Sequence, residues 1–361
     1  MRVLVAAGGS GGHVYPALAV LEELRNRGEL SAAGWVGTPW GVERRIIGRS
    51  PWISYYILPV VGIDRRRPWR WAPAVWRSAR SVRRAANIVR EFRPHVVLGM
   101  GGYPAFAPCL AAKALGVPVA VHEQNVRLGL VNRLLSRLAD RVLLSFAPPG
   151  GVKPGRGRVV VTGNPVRREI AQAGAAGARG RELLVVGGSQ GSGPLVRAAL
   201  QAAPALARCP GLRLRLLVGQ AADPTQVSRE LKAAGLRQAA VVRYTHRMDR
   251  ALAQARLVVA RAGATTVAEL AAAGRPAILV PWCRAAGGHQ EANAHALAQR
   301  GGCVVLPERE LARVDLGALV AELWADQARL AAMARAARDP GAVEAAGRVA
   351  DALCGLAKGS Q

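Results

Sequence analysis

Short apolar runs alternate with longer stretches of helical period along nearly the whole chain, which is the pattern of parallel α/β sheets. In the first half, Val3–Ala7, Tyr55–Val60, Val96–Met100, Val117–His122, Arg141–Ser145 and Val159–Val161 predict buried strands. In the second half, Leu183–Val186, Leu212–Val218, Ala239–Arg243, Leu257–Ala260 and Ala277–Val280 do the same. Tyr15–Asn26, Ala74–Phe92 and Pro194–Leu206 predict helices between them, and residues from Gly341 to Leu356 predict a last one. A chain of 361 residues suits two cores better than one. The segment from Pro148 to Gly155 reads as a loop, and the first domain is expected to end after the next strand, near Gly163-Asn164-Pro165. The expected division is therefore 1–163, 164–340, and a final helix in 341–361 packing back on the first domain.

Both halves open in the same way. Val3-Leu4-Val5-Ala6-Ala7 runs into Gly8-Gly9-Ser10-Gly11-Gly12-His13, and Leu183-Leu184-Val185-Val186 runs into Gly187-Gly188-Ser189-Gln190-Gly191-Ser192. A buried strand that breaks into glycines and re-enters a helix leaves N–H groups turned outward, suited to phosphate or sugar oxygens. Having this twice predicts two nucleotide-fold domains with a ligand between them. The first turn lacks the G-x-G-x-x-G spacing of dinucleotide binders, and no acidic residue ends the next strand to hold an adenosine ribose, which argues against hydride transfer.

Charge adds a second constraint. The chain carries 50 basic and 23 acidic residues, formally +27, and all but four of the basic residues are arginine. Such a balance attracts polyanions: nucleic acid, anionic membrane or phosphorylated substrates. The five cysteines, Cys109, Cys209, Cys283, Cys303 and Cys354, have neither zinc-ligand nor redox spacing, so a reduced, cytosolic protein is expected. No signal peptide is expected, because the chain starts on a core strand. The longest uncharged stretch, Val96 to Ala112, is broken by glycines and prolines and is shorter than the roughly 20 residues of a spanning helix.

Several segments carry candidate chemistry. His13 opens a helix, where the macrodipole disfavours protonation, so a neutral imidazole there can take a proton from an attacking hydroxyl. Arg261-Ala262-Gly263-Ala264-Thr265-Thr266-Val267-Ala268-Glu269 follows a strand. Its small residues leave a helix N-terminus bare for a diphosphate, with Glu269 one turn further in to accept from two ribose hydroxyls. Pro281 to Asn293 brings His289, Gln290 and Asn293 to a helix start, as donors and acceptors for sugar hydroxyls. His122-Glu123-Gln124-Asn125 closes a strand, where ligands sit in open α/β sheets, and Arg167 stands at the domain boundary within reach of a phosphate.

The arginine-rich stretch Ile63 to Phe92 holds Trp69, Trp71 and Trp76. Val75, Ala79, Val82, Ala86 and Val89 make the inward stripe of its helix, so the arginines and Trp76 face elsewhere. Tryptophan interleaved with arginine fits the headgroup zone of an anionic leaflet, and also single-stranded nucleic acid. No Asp-x-Asp occurs anywhere, so the usual carboxylate pair for a metal on a nucleotide diphosphate is missing, and a leaving diphosphate is left to helix N-termini, hydroxyls and arginine.

Taken in series, Gly8–His13 with Val14-Tyr15-Pro16-Ala17, Gly99–Tyr103, His122–Asn125, Gly163–Arg167, Gly187–Gly191, Arg261–Glu269 and Gly288–Asn293 resemble the MurG family of bacterial peptidoglycan glycosyltransferases. The resemblance spans nearly the whole chain. It implies the GT-B glycosyltransferase fold, two Rossmann-like parallel-sheet domains separated by a cleft. It further implies transfer of N-acetylglucosamine from UDP-GlcNAc to undecaprenyl-diphosphate-linked muramyl pentapeptide (lipid I), giving lipid II for cell-wall synthesis. By the same match, Ser189, Gln190 and Arg167 would meet the diphosphate, backbone around Thr245 would read uracil, and Met248 would wall that pocket. Ala264 and Thr265 would face the phosphates, Glu269 the ribose, and Asn125, His289 and Gln290 the sugar hydroxyls. Ser10, Gly11 and Gly12 would form the opposite wall, with His13 as base. The family acts peripherally at the cytoplasmic membrane face through an apolar patch ringed by basic residues, which fits Trp69, Trp71, Trp76, Arg77 and Arg80. No cofactor, no metal and no nucleic acid are implied. Ser10 stands where threonine is commoner in relatives, Ala105 where they often carry serine, and His289 where some have glutamine. The competing expectations are a related transferase acting on another lipid, a UDP-GlcNAc epimerase or hydrolase on the same fold, and a nucleic-acid-binding protein.

Overall fold

In the computed structural model, which describes residues 1–60, 71–147, 158–175, 180–188, 190–285 and 288–359, with backbone alone for 71–79 and 174–175, the chain forms two units. One comprises Met1–Arg167 with Glu344–Gln361, the other Arg168–Val343. Each is built around a parallel sheet. In the first unit the strands are β1 (Arg2–Ala6), β2 (Ala32–Gly37), β3 (Ile53–Ile57), β4 (Val96–Gly99), β5 (Val119–Glu123), β6 (Arg141–Leu144) and β7 (Arg158–Val161), in spatial order β3-β2-β1-β4-β5-β6-β7. The helices α1 (Gly11–Asn26), α2 (Val42–Ile47), α3 (Trp71–Phe92), α4 (Tyr103–Ala114) and α5 (Leu130–Leu135) connect them.

The alternation of side chains along β1 divides the first core in two, because successive residues of a strand point to opposite faces. Val3 and Val5 pack with Val14, Ala17, Leu21 and Leu24 of α1, while Leu4 packs with Ala85, Ile88, Val89 and Phe92 of α3 and with Cys109 and Ala112 of α4. The last helix, α14 (Pro340–Lys358, numbered after those of the second unit), sends Val349, Ala350 and Leu353 into the α1 side of this core. Arg348 Nε donates to the Thr162 carbonyl at 2.9 Å, and Arg27 pairs with Asp351 at 2.6 Å.

The second unit runs α6 (Arg168–Ala175), β8 (Glu182–Val186), α7 (Gly193–Leu206), β9 (Arg213–Leu217), α8 (Pro224–Ala233), β10 (Ala239–Val242), α9 (Met248–Gln254) and β11 (Ala255–Ala260). It continues through α10 (Ala264–Ala273), β12 (Ala277–Leu279), α11 (His289–Ala298), β13 (Cys303–Val305), α12 (Leu316–Ala325) and α13 (Gln327–Ala337). The strand order is β10-β9-β8-β11-β12-β13.

Most predicted strands recur within a residue or two, and the departures have physical reasons. β2 reads Ala-Ala-Gly-Trp-Val-Gly, whose small residues give little strand signal; it forms because β1 and β3 flank it and Trp35 is fully buried, donating from Nε1 to the Ala7 carbonyl at 3.0 Å. β13 is three residues long, too short for a periodicity to register. β3 begins at Ile53 rather than Tyr55, and Leu58 to Val60 lie beyond its end. On α3 the buried stripe is Ala85, Ile88, Val89 and Phe92; Val82 and Ala86 are half-buried beside it. Arg80, Arg83 and Arg84 are exposed, as the predicted amphipathic face requires. The segment from Pro148 to Gly155 and Trp69 lie outside the described residues, as do the side chains of Trp71, Trp76 and Arg77 within α3.

Candidate active site

In an open parallel sheet, ligands lie beyond the carboxyl ends of the strands, where the strand order reverses. The reversal falls between β1 and β4 in the first unit and between β8 and β11 in the second. The loops at those points are the ones singled out by their glycines: Gly8–Ser10 and Gly101–Gly102 in the first unit, Gly187, Gly188 and Gln190–Ser192 with Arg261–Gly263 in the second.

Around the first reversal the backbone is packed to its limit. A Cβ on Gly8 would lie 2.6 Å from Glu43 Oε1, so only glycine fits against that carboxylate. Gly102 has φ of +71°, and a Cβ there would come within 3.2 Å of the Gly8 carbonyl oxygen and 3.6 Å of His13 Cε1. Ser10 is the extended N-cap of α1, yet its hydroxyl caps no backbone N–H; it lies 3.3 Å from His13 Nδ1. The same nitrogen is 3.2 Å from the Gly8 carbonyl oxygen. A carbonyl can only accept, so Nδ1 carries the proton and Nε2 the lone pair. Desolvation lowers the His13 pKa, opposed by the charges of Glu123 and Glu43 and by the bond to Gly8, and the result lies below the ordinary histidine value. Burial thus keeps the imidazole neutral, in the same direction as the helix macrodipole. Arg167 stacks its guanidinium 4.2 Å from the ring centroid of Tyr15, two residues after His13.

His122-Glu123-Gln124-Asn125 is mostly turned inward. His122, Glu123 and Gln124 are buried, and only Asn125 is half-buried. Glu123 Oε1 accepts from Asn125 N and Nδ2 at 3.0 and 2.9 Å, and Oε2 accepts from Gly129 N and Asn132 Nδ2, both at 2.9 Å. This carboxylate therefore shapes the loop that presents Asn125. Asn132 was not visible as part of the site, because its partner lies nine residues away across a loop. His122 donates from Nε2 to the Gly163 carbonyl at 3.0 Å, and Nδ1 accepts from Gln124 Nε2 at 3.1 Å.

Burial pushes the His122 pKa down to about 4. The unfolded chain, with an ordinary value near 6.5, then binds more protons than the folded chain between about pH 6.5 and 4, so stability falls as pH drops through that window. The full loss is about 3 kcal/mol. Urea midpoints measured from pH 7.5 to 4.5 should fall less steeply in His122→Asn than in the wild type; parallel slopes would exclude this role.

In the second unit the residues predicted to form the site follow four parallel strands. Gln190 is exposed in the turn after β8, and Ser189 lies outside the described residues. Thr245, after β10, accepts from Arg247 N at 3.1 Å, and Met248 opens α9. Ala264 opens α10 behind Gly263, which supplies no side-chain cap, with Thr265 next and Glu269 buried one turn on. His289 and Gln290 open α11, and Gln290 Oε1 accepts from Trp282 N at 2.9 Å. Asn293 is buried and donates to the Ala262 carbonyl at 3.2 Å, tying α11 to the loop before α10. The structure thus brings Gln190, Thr245, Met248, Ala264, Thr265, His289 and Gln290 to one edge of the second sheet, and Ser10, Gly11, Gly12, His13 and Asn125 to one edge of the first.

Arg261, which heads the loop before α10, is turned inward. It is buried, donating to Ser192 Oγ at 2.7 Å and to the Val280 carbonyl at 3.2 Å, and it pairs with Glu308. Glu308 Oε2 in turn accepts from Cys283 N at 3.3 Å. Burial raises the Glu308 carboxyl pKa, but the bonds from Arg261 and Cys283 outweigh it and hold the group below the usual range. Arg261 is the clasp that joins the ends of β8, β11 and β12; Glu308, 47 residues away, carried no sequence signal.

Residues 3–144 match the glycosyltransferase family 28 N-terminal domain, and residues 182–350 match the family 28 C-terminal domain. These two domains define a glycosyltransferase of the GT-B fold. The chain is 39% identical over 99% of both lengths to a UDP-N-acetylglucosamine–N-acetylmuramyl-(pentapeptide) pyrophosphoryl-undecaprenol N-acetylglucosamine transferase of Desulforudis audaxviator. It is 41% identical to a relative of the same name from Nitratidesulfovibrio vulgaris, over 98% of this chain and 96% of that one. The crystal structure of Acinetobacter baumannii MurG superposes with a TM-score of 0.74 at 30% identity, covering 98% of this chain and 99% of that one. The chain belongs to the MurG family. A UDP-GlcNAc 2-epimerase from Neisseria meningitidis, at TM-score 0.63 and 14% identity, shares the fold alone.

Proposed function

We propose that this chain is an inverting transferase that moves N-acetylglucosamine from UDP-GlcNAc to the C4 hydroxyl of the muramyl sugar in lipid I, forming lipid II for peptidoglycan synthesis. The observation that carries this reading is end-to-end identity of about 40% to transferases named for that reaction. The competing epimerase reading rests on a fold likeness alone.

His13 acts as general base. Its Nε2 takes the proton of the C4 hydroxyl while the oxygen attacks the anomeric carbon and the bond to UDP breaks on the opposite side. UDP carries its charge away on the diphosphate. That charge is met by the uncapped start of α10 with Ala264 and Thr265, by Ser189 and Gln190, and by Arg167. Glu269 accepts from the ribose hydroxyls, backbone near Thr245 reads uracil, and Met248 closes that pocket. Asn125, His289 and Gln290 read the sugar; Gln290 has its oxygen committed to Trp282 N and offers its NH₂ group. Ser10, Gly11 and Gly12, in the turn after β1, contribute further donor contacts. No metal is required in this scheme.

The second unit holds most of the donor, and the first, with α14, serves the acceptor at the cytoplasmic face of the membrane. Among the described residues no helix is long and apolar enough to cross a membrane, and the exposed arginines of α3 suit an anionic leaflet. The test is transfer of radiolabelled N-acetylglucosamine to a lipid I analogue on vesicles with anionic lipid, in excess EDTA. Labelled lipid product is expected, with vesicle binding that weakens from 0.1 to 1 M salt as the Debye length shrinks from about 10 to 3 Å. UDP release or epimerised sugar without lipid product would sink the reading.

A further inference from the structure

Glu43 is a fully buried carboxylate on α2 that the mechanism above leaves unused. Its Oε1 accepts from Thr38 N at 2.9 Å and from Thr38 Oγ1 at 2.6 Å, and its Oε2 accepts from Gly9 N at 3.3 Å. The space it occupies has been cleared by glycine on two sides: a Cβ on Gly8 would lie 2.6 Å, and one on Gly41 2.1 Å, from Glu43 Oε1. The N–H of Gly9 and the C=O of Gly8 belong to one trans peptide unit, so they point in opposite directions. Glu43 grips the N–H end of that unit, and His13 Nδ1 donates to its C=O end at 3.2 Å.

We propose that Glu43 is a positioning residue for His13, acting through the Gly8–Gly9 peptide unit: it fixes the Nδ1–H tautomer and balances the charge the ring acquires when Nε2 takes a proton. The inference rests on the reading of His13 as base. A carboxylate at one end of a peptide polarises it and makes the carbonyl at the other end a stronger acceptor. The role is that of the carboxylate in a Ser-His-Asp triad, which holds the imidazole in one tautomer and stabilises the imidazolium. Here a backbone amide stands between the two side chains. Direct contact is unnecessary, because Gly8 and Gly9 bring the chain close enough for one peptide to span the gap.

Among the described residues, Glu43 on α2 and Glu123 on β5 act on the ring by their charge, Tyr103 on α4 lies against Gly9, and Arg167 stacks over Tyr15. Glu123 acts on the ring by its charge and bonds to Asn125, Gly129 and Asn132. Glu43 reaches it through the hydrogen-bonded Gly8–Gly9 peptide, so tautomer separates the two. The experiment is long-range ¹H–¹⁵N NMR of the full chain labelled at its six histidines, with His13 assigned by loss of its signals in His13→Gln. At pH 7.5 the wild type should show a protonated Nδ1 and an unprotonated Nε2. In Glu43→Gln the titration midpoint should fall by about 0.5 to 1 pH unit, and the second tautomer should appear. Thr38→Val, which keeps the carboxylate and removes its 2.6 Å hydroxyl donor, should give a smaller shift in the same direction. A wild-type Nε2–H tautomer overturns the proposal whether or not any variant folds, and so does a Glu43→Gln titration identical to wild type. The acid limb of kcat should move with the NMR midpoint. If the midpoint moves and the limb does not, Glu43 positions His13 as proposed, and it is the assignment of His13 as base that fails.

Discussion

His13→Ala is expected to lower kcat by about 10²- to 10⁴-fold, the usual worth of a positioned general base, while the KM for UDP-GlcNAc stays within a few-fold. The split follows from where the side chain sits. His13 opens α1 at the first sheet's reversal point, with Nδ1 committed to the Gly8 carbonyl, so its other nitrogen is the one that can meet a hydroxyl. Most of the proposed donor contacts, Glu269 and the loops around it, belong to the second unit and keep their partners when His13 is cut back. The pH profile supplies an independent check. Desolvation places the His13 midpoint below the ordinary histidine value near 6.5, so the protonated, inactive ring should build up only as pH falls beneath that point. Steady-state kinetics with saturating lipid I analogue measures both. Turnover within a few-fold of wild type, or an acid limb unchanged in the alanine variant, would remove His13 from the base role.

Glu269→Ala should act on the other parameter. A buried carboxylate that accepts from two ribose hydroxyls makes two charge-assisted hydrogen bonds, each contributing about 1.5–3 kcal/mol before the donors are rehydrated. A net loss of roughly 2–3 kcal/mol raises the KM for UDP-GlcNAc about 30- to 150-fold, with kcat altered far less, because the ribose is remote from the bond that breaks. Glu269→Gln keeps the shape and one acceptor oxygen, and should fall between the two. Isothermal titration with UDP alone measures the same loss without acceptor or turnover. Binding of UDP unchanged by Glu269→Ala would free that carboxylate from the ribose and leave it as a buried member of the α10 packing face.

Much of this architecture could be read along the chain because the signals are local. A four- or five-residue apolar run followed by glycines and a helical period is a property of consecutive residues, and it marked both reversal points and His13. The residues that escaped are those whose meaning depends on a distant partner. Glu43 is one charge in a short helix until Gly9, 34 residues away, turns its N–H toward it. Glu308 is unremarkable until Arg261 reaches it across 47 residues. His122 and Arg261 were legible as polar groups at strand ends, but their inward direction was not: both are buried and satisfied, one against Gly163 and Gln124, the other against Ser192, Val280 and Glu308. β2 lacked the branched residues that mark a strand, and owes its conformation to the neighbours on either side.

The sequence by itself determined the fold class, the twofold repetition of strand, glycine turn and helix, the strongly basic balance and the imidazole at the first turn, since each follows from residue type and short-range spacing. Tertiary structure decided which polar groups stand open at the carboxyl ends of the strands and which are buried and bonded beneath them. A buried carboxylate or guanidinium is stable only when its hydrogen bonds are met, and at Glu43, Glu123 and Arg261 those partners come from turns and helix starts that only the folded sheets bring into reach.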